Sequence, residues 1–365
     1  MKISQENKIK ILSSFLAVAA GLLVGFIILF VVDPGNSFRG FLTIILGGLN
    51  QGSTSLGNTI FYGVPIVLTG LSVAFAFRTG LFNIGATGQL TMGAFVAVYI
   101  GVNWTFLGPI HWIVAILGAM LAGAVWGSIP GLLKAYRNVH EVVSSIMLNY
   151  IAMYINAMLI YAYIYDGRSK ALPPAESGMI PKMGLDKIFV GSDVHAGIFI
   201  VILIVILIHI LLNKTTLGYE LKSVGFNKDA SKYAGINEKR NIILAMTISG
   251  AIAGIAGAMM YLISGSDFGP SETLLTEGFT GIAISLLGLN APFGVLISGL
   301  FYGWLNQGGY YVQLDGYKPE IIDVVIGVII YFSALSLFLQ NFVGRYYKRK
   351  ALRSVQNNVK AGDAR

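Results

Sequence analysis

The chain has 365 residues, of which 55% are hydrophobic and only 12% are charged, and its formal net charge is +8. Its mean hydropathy of +0.72 is far from the balance of ordinary soluble domains. This composition excludes a soluble globular protein and predicts an all-α, polytopic integral membrane protein. Because the sequence has no cysteine and its 4 histidines show no metal-ligand spacing, we expect no disulfide, no metal and no cofactor.

Apolar runs separated by turn signals predict about ten transmembrane helices. A helix of about 20 residues is needed to cross a hydrocarbon core of ~30 Å. The third, eighth and ninth runs are short and rich in glycine or polar residues, which a membrane tolerates only inside protein or beside a polar cavity. These three are therefore predicted to line a pathway. The predicted helices are 9–32, 58–77, 84–101, 110–133, 142–164, 196–212, 241–263, 277–289, 292–306 and 321–343.

The basic residues predict the orientation of these helices. With a cytoplasmic N-terminus, 19 of the 25 lysines and arginines fall on the cytoplasmic side, where positive residues accumulate. We therefore expect an even number of helices and two cytoplasmic termini. Residues 1–344 are predicted to form one transmembrane domain with a cytoplasmic loop at 213–240, and residues 345–365 a basic cytoplasmic tail. Since this topology explains the positive charge, no binding to nucleic acid is expected.

Two polar segments are predicted on the outer side. Residues 165–195 form either a solvated connector or a docking surface for an external partner. Asp267, Glu272 and Glu277 follow in a later outer segment, where we expect solvated carboxylates. The sequence shows no phosphate-binding loop and no paired intramembrane carboxylates, so the chain is not expected to hydrolyse ATP or to be a proton-driven carrier.

Polar side chains on the third and fifth predicted helices are candidates for a pathway. Asn83, Thr87 and Gln89 belong to a glycine-interrupted segment, whereas Asn149 and Asn156 lie seven residues apart on one helix face. Amides and hydroxyls offer both donors and acceptors, which suits a neutral polyhydroxylated ligand. Two interpretations stay open: these groups line a pathway, or they satisfy one another and the backbone around the glycines.

The cytoplasmic loop contains a short segment with helical character. Residues 228–235 can form about two turns capped by Asn227, with Ala230, Tyr233 and Ala234 on one small apolar face. Such a helix on the membrane surface can dock into a cleft on a soluble partner. The run GFNKDASKYAGI, with the small-residue segment SGAIAGIAGAM after it, resembles the coupling loop of ABC importer permeases.

The resemblance extends along nearly the whole chain. It lies in the branch for simple sugars, nucleosides and branched-chain amino acids. LFNIGATGQLTMG (81–93), HEVVSSIMLNYIA (140–152) and GFTGIAISLLGLNAPFG (278–294) look like segments of nucleoside permeases that work with basic-membrane-protein lipoproteins. Thr87 and Thr280 depart from the family pattern, in which an acid is common at both positions, so specificity here can differ.

The resemblance implies the translocation subunit of an ATP-driven ABC importer for nucleosides in the bacterial cell membrane. The implied partners are a cytoplasmic ATP-binding subunit, a second permease (identical or not), an extracellular substrate-binding lipoprotein and membrane lipid. A simple-sugar permease is the alternative within this class, and a self-sufficient carrier or channel is the alternative outside it. The residues that the resemblance places in contact with the ATPase are Gly225, Asn227, Asp229, Ala230, Tyr233, Ala234 and Gly235.

Overall fold

The computed structural model describes residues 5–335, 338–340 and 343–344, with side chains from Leu12 onward. Every regular element within these ranges is a helix, which confirms the all-α class. The predicted basic tail at 345–365 lies outside the described residues.

The helices are joined by short turns and by a few longer irregular segments. Short 3₁₀ turns at Gly47–Leu49, Thr105–Ile110 and Glu176–Gly178 complete the described elements. In chain order the α-helices are α1 (Gln5–Val32), α2 (Ser37–Leu46), α3 (Ser53–Arg78), α4 (Ala86–Asn103), α5 (His111–Arg137), α6 (Glu141–Tyr163), α7 (Leu185–Ile188), α8 (Gly197–Lys214), α9 (Thr216–Phe226), α10 (Lys228–Tyr233), α11 (Glu238–Tyr261), α12 (Glu277–Leu287), α13 (Pro292–Leu314) and α14 (Pro319–Ala334).

Fewer helices than predicted have the length and composition of a membrane span. The described residues contain 7 such segments, in α1, α3, α5, α6, α8, α11 and α14. The other three predicted spans correspond to α4, α12 and α13, so the number ten stays a prediction. α12 has 11 residues, or about 16 Å at 1.5 Å per residue, and is too short to cross ~30 Å of hydrocarbon.

The chain divides into two compact units, one formed by residues 1–42 and 312–365 and the other by residues 43–311. In the first unit α1 packs on α14, where a Cβ on Gly21 would lie 2.9 Å from the Cα of Ile329. An ion pair between Arg39 and Asp315, with 3.0 Å between Nη2 and Oδ1, also belongs to this unit.

In the unit 43–311, the helices α4, α5 and α11 pack on one another, and α11 is in backbone contact with both of the others. A Cβ on Gly254 of α11 would lie 3.0 Å from the Cα of Gly123 on α5. A Cβ on Gly93 of α4 would likewise lie 2.8 Å from the carbonyl carbon of Gly254. Membrane helices without a hydrophobic drive between them rely on such small-residue contacts for association. Gly254 therefore sets the spacing of three helices at once.

Replacing Gly254 by Val should lower the stability of the folded protein by at least ~1–3 kcal/mol, because the new methyl groups would force the backbones apart. The measurement is the thermal unfolding midpoint of the purified protein in detergent. The matched control is Gly327→Val, since a Cβ on Gly327 meets nothing within 4 Å. Equal midpoints for both variants would contradict the packing described here.

Candidate functional site

A non-helical segment between α3 and α4 is buried inside the unit 43–311. It covers residues 79–85, and within it Leu81 is 3% exposed and Asn83 is fully buried. Non-helical backbone inside a membrane protein must find hydrogen-bond partners from neighbouring groups. The surroundings of this segment therefore include a cluster of polar side chains.

Asn83 and Gln89 pair with each other through both of their amide groups. The Nδ2 of Asn83 donates to Oε1 of Gln89 at 2.7 Å, and Nε2 of Gln89 donates to Oδ1 of Asn83 at 3.1 Å. Asn83 also donates to Ser249 Oγ of α11 at 2.7 Å, and Ser249 in turn donates to the Ser72 carbonyl of α3 at 2.8 Å. The pair thus ties the start of α4 to α3 and α11.

Asn149 of α6 completes the hydrogen bonding around the start of α4. Its Oδ1 accepts from the Gly88 N–H at 2.9 Å, and its Nδ2 donates to the Ile84 carbonyl at 3.0 Å. The Asn149 amide therefore satisfies one backbone N–H and one backbone carbonyl that have no partner within the helix at the start of α4.

A second irregular segment, residues 262–276 between α11 and α12, also lies next to the start of α4. The hydroxyl of Thr87 donates to the Leu275 carbonyl at 3.3 Å. A Cβ on Gly278 would lie 2.5 Å from the Thr87 nitrogen, so the first turns of α4 and α12 are in backbone contact. Two helices that each follow a non-helical segment thus begin side by side.

Asn156 of α6 lies apart from this cluster. Its side chain is 5% exposed, its Oδ1 has no hydrogen-bond partner within the described residues, and it lines a cavity of about 180 Å³. Thr91, Tyr261 and the segment 267–275 form other walls of this cavity. The structure therefore places four of the five polar candidates together and Asn156 beside a separate cavity.

The loop 213–240 is more helical than its polar sequence indicated. Beyond the predicted short helix, now α10, it contains the additional helix α9. The predicted cap is present, since Oδ1 of Asn227 accepts from the Ala230 N–H at 3.0 Å. Gly235 ends the turn after α10 with φ +79°, a conformation that favours glycine.

The surface of α9 and α10 exposes large apolar side chains. Phe226 is 95% exposed and Tyr233 is 94% exposed, and Asp229 is also exposed in the first turn of α10. Between the two helices lies an open groove of about 490 Å³. Its walls include Tyr219, Lys222, Phe226, Ala230, Ala234 and Ile236.

Gly225 connects this surface to the buried segment 79–85. A Cβ on Gly225 would lie 2.5 Å from the carbonyl carbon of Thr79, so the two backbones touch. A displacement of α9 would therefore press directly on the segment that carries Asn83.

The loop 165–195 is folded against the helix ends. The N–H of Ala175 donates to the Gly101 carbonyl at 2.8 Å, and that of Ile180 to the Leu262 carbonyl at 2.9 Å. Lys170 pairs with Asp267 across the surface, with 2.5 Å between Nζ and Oδ1. These bonds fix the loop as an ordered surface rather than a loose connector.

Next to this loop lies a cavity of about 510 Å³, which we call the outer cavity because the loop is predicted on the outer side. Its walls include Trp112, Glu176, Ser177, Lys182, Asp193, His195, Ile263 and Ser264. Burial lowers the pKa of His195 to about 4, so the imidazole is neutral at physiological pH.

The expectation that Glu277 is solvated is wrong. Its side chain is partly buried, and the Oε2 atom is buried without a hydrogen-bond partner in the described part of the chain. The sequence contains little indication of this burial, because an isolated acid ahead of a short helix has the same local sequence pattern whether it is buried or solvated. Within the described residues there is also no group of three or more His, Cys, Asp or Glu that could hold a metal ion.

Comparisons with known proteins identify the family. The family described as "Branched-chain amino acid transport system / permease component" matches residues 55–334. The chain belongs to this family of transport permeases. It is therefore a multi-pass protein of the cell membrane, and its relatives are translocation components that work with ATP-binding and substrate-binding partners.

Several curated relatives cover nearly the whole permease. The guanosine ABC transporter permease protein NupP of Bacillus subtilis (strain 168) is 38% identical over 93% of this chain and 98% of its own. The nucleoside ABC transporter permease protein NupB of Lactococcus lactis subsp. cremoris (strain MG1363) is 32% identical over 97% of this chain and 98% of its own. The glucose ABC transporter permease protein TsgB13 of Haloferax volcanii is 30% identical over 96% of this chain and 94% of its own. No solved structure matches the chain significantly.

Proposed function

We propose that this permease is the translocation subunit of an ATP-driven importer of nucleosides. The observation that carries the proposal is the 38% identity, over 93% of the chain, to a permease named for guanosine. The sequence has no phosphate-binding loop, so ATP would be hydrolysed by a cytoplasmic partner subunit.

Uptake by intact cells tests this function. Deleting the gene should abolish accumulation of radiolabelled nucleoside, and expression of the wild-type chain should restore it. A simple-sugar permease is the second candidate, because a 30% identical relative is named for glucose. Unlabelled glucose, ribose and several nucleosides are therefore added in excess as competitors. Competition by sugars alone would contradict the nucleoside assignment.

The ATP-binding subunit would dock on the surface formed by α9 and α10. The aromatic rings of Phe226, which lines the apolar groove, and of Tyr233 are almost fully exposed, and burying them on a partner would supply binding free energy. Movement of this surface would reach the buried segment 79–85 through the backbone contact between Gly225 and Thr79. ATP hydrolysis would thus act on the start of α4.

Ala230→Glu and Gly235→Pro should each uncouple ATP hydrolysis from uptake. The first places a carboxylate in the docking groove, and the second demands φ near −65° where the chain has +79°. We expect uptake to fall at least about tenfold with the permease still in the membrane, measured together with ATPase activity. Lys232→Glu, which adds a carboxylate on the opposite side of α10, is the control. Normal uptake and normal co-purification of the ATPase in both variants would remove the docking assignment.

The pathway is proposed to open where α4 and α12 begin. Asn83, Thr87, Gln89 and Asn149 surround this contact, and Asn156 lies in the neighbouring cavity. Separation of the two helix starts would expose polar groups that are paired with each other in the closed arrangement. These groups would bind the ligand only weakly, because tight binding would hinder its release.

Alanine at Asn83, Gln89 or Asn149 should slow uptake several-fold without lowering the amount of assembled complex. Each lost hydrogen bond is worth about 0.5–1.5 kcal/mol. The measurement is uptake divided by the complex recovered from the same membranes, with Asn103→Ala, an exposed amide of α4, as control. Unchanged uptake per complex, with less complex recovered, would show that these amides serve packing alone.

We further propose that the ten predicted helices form a single permease domain, with both termini in the cytoplasm and the loop 165–195 outside. Because α12 is too short to cross by itself, the irregular segment that precedes it would complete that crossing. The charge distribution supports this topology. The ordered outer loop offers a surface for the substrate-binding lipoprotein, and a second permease, identical or not, would complete the pathway.

Single cysteines at Lys187 and Lys232 should react from opposite sides of the membrane. Both side chains are exposed and the chain has no cysteine of its own. A membrane-impermeant maleimide added to intact cells should label Lys187→Cys only, whereas lysed cells should show both labels. If the reagent labels both variants in intact cells, the proposed orientation is incorrect.

A further inference from the structure

A third cavity lies within the unit 43–311, between α3, α11, α12 and α13, and we call it the inner cavity. Its volume is about 250 Å³. Pockets for drug-sized ligands span roughly 300–1,000 Å³, so this space suits one smaller molecule and excludes a peptide. Its walls are Phe61, Tyr62, Pro65, Ile66, Met259, Met260, Glu277, Tyr302 and Asn306.

The polar groups of the inner cavity are few, and one of them lacks a partner. Oε2 of Glu277 is buried with no hydrogen bond to any described residue. A buried acceptor without a donor costs free energy and in native proteins usually has a functional reason. A ligand that presents N–H or O–H groups would satisfy this oxygen.

Three of the remaining wall residues are aromatic, and most of the others are aliphatic or methionine side chains. Phe61, Tyr62 and Tyr302 line the inner cavity together, and the rings of Phe61 and Tyr62 lie 5.2 Å apart in an edge-on arrangement. Base–aromatic stacking contributes substantially to the binding of nucleobases, since every base has a π-face. Aromatic walls with one carboxylate and the Asn306 amide match a ligand that has a flat face and polar edges.

The inner cavity lies part-way along the helices that form it. Nε of Arg78, at the end of α3, donates to the carbonyl of Asn290, just after α12, at 2.8 Å. Glu277 stands at the opposite end of α12, about 16 Å away along its axis. That distance is about half of the ~30 Å hydrocarbon core, which is where transporters with interrupted helices hold their substrates.

Phe61 and Met259 separate the inner cavity from the outer cavity. The ring of Phe61 lies 5.8 Å from that of His195, which lines the outer cavity. Ile263 and Ser264 of the outer cavity follow Met259 and Met260 of the inner cavity by four residues in the chain. The two spaces are therefore neighbours across a thin wall of side chains.

We propose that the inner cavity is a transit site for a purine nucleoside, with its base against the aromatic side chains and the N–H groups on one edge of the base donating to the Glu277 carboxylate. Guanosine fits this chemistry best, because its N1–H and N2 amine lie on one edge and a carboxylate can accept from both. Adenosine has no such pair of ring donors on that edge. This assignment rests on the proposed nucleoside function and specifies where the substrate binds.

The first test is Glu277→Gln in the complete importer, with nucleoside uptake measured per assembled complex. We expect guanosine uptake to fall about tenfold and adenosine uptake to change much less, since Gln replaces one acceptor oxygen by a donor NH₂ group and keeps the shape. Glu272→Gln is the matched control, because Glu272 is an exposed acid five residues earlier. An equal loss for all nucleosides would overturn base recognition by Glu277, and unchanged uptake would overturn its role in the site.

The second test does not depend on transport by the Glu277 variant. A single cysteine in place of Asn306 should react with a small charged methanethiosulfonate, and saturating guanosine should slow that reaction several-fold. Glu272→Cys should react at a rate independent of guanosine. If the complete importer transports guanosine and the Asn306→Cys reaction is unprotected, the inner cavity is not the site. If the wild-type importer transports no nucleoside, the proposed function itself fails.

Discussion

Backbone contact between α11 and its neighbours α4 and α5 is the constraint on which the rest of the 43–311 unit depends. Because Gly93, Gly123 and Gly254 lack side chains, three helices approach more closely than any larger residue would allow. This spacing brings Ser249 of α11 within 2.7 Å of the Asn83 amide. It therefore fixes the buried non-helical segment that precedes α4.

Within this packing, the helices α4 and α12 begin side by side. α4 and α12 each follow an irregular segment and touch at Thr87 and Gly278. Irregular backbone inside a membrane protein needs polar partners, and Asn83, Gln89, Asn149 and Ser249 are among those in the described residues. The contact through Gly225 links this arrangement to α9 and α10, so that an event at the surface can act on the interior.

Several features followed from the sequence because they depend on local chemistry. The all-α class follows from the apolar runs, and α10 with its cap follows from Asn227 and the residues after it. The sequence also placed polar residues near the glycine-interrupted third helix, although it left open whether they pair with one another.

Other features depend on packing between distant segments and could not be read from the sequence. α9 was missed because a polar stretch after an apolar helix gives the pattern of a loop. The reciprocal pairing of Asn83 and Gln89 involves Ser249, which is 166 residues away from Asn83 in sequence. The burial of Glu277 likewise requires α3 and α13 to enclose the start of α12, and no local pattern around residue 277 indicates that enclosure.

The central claim is that this chain translocates nucleosides only when an ATP-hydrolysing partner drives it. Its most direct test is guanosine accumulation in proteoliposomes that contain either the purified permease alone or the complete importer with its lipoprotein. The account predicts accumulation above the external concentration by the complete importer with ATP, and none with a non-hydrolysable analogue or with the permease alone. Guanosine entry at the same rate through the permease alone would contradict it and would indicate a self-sufficient carrier or channel.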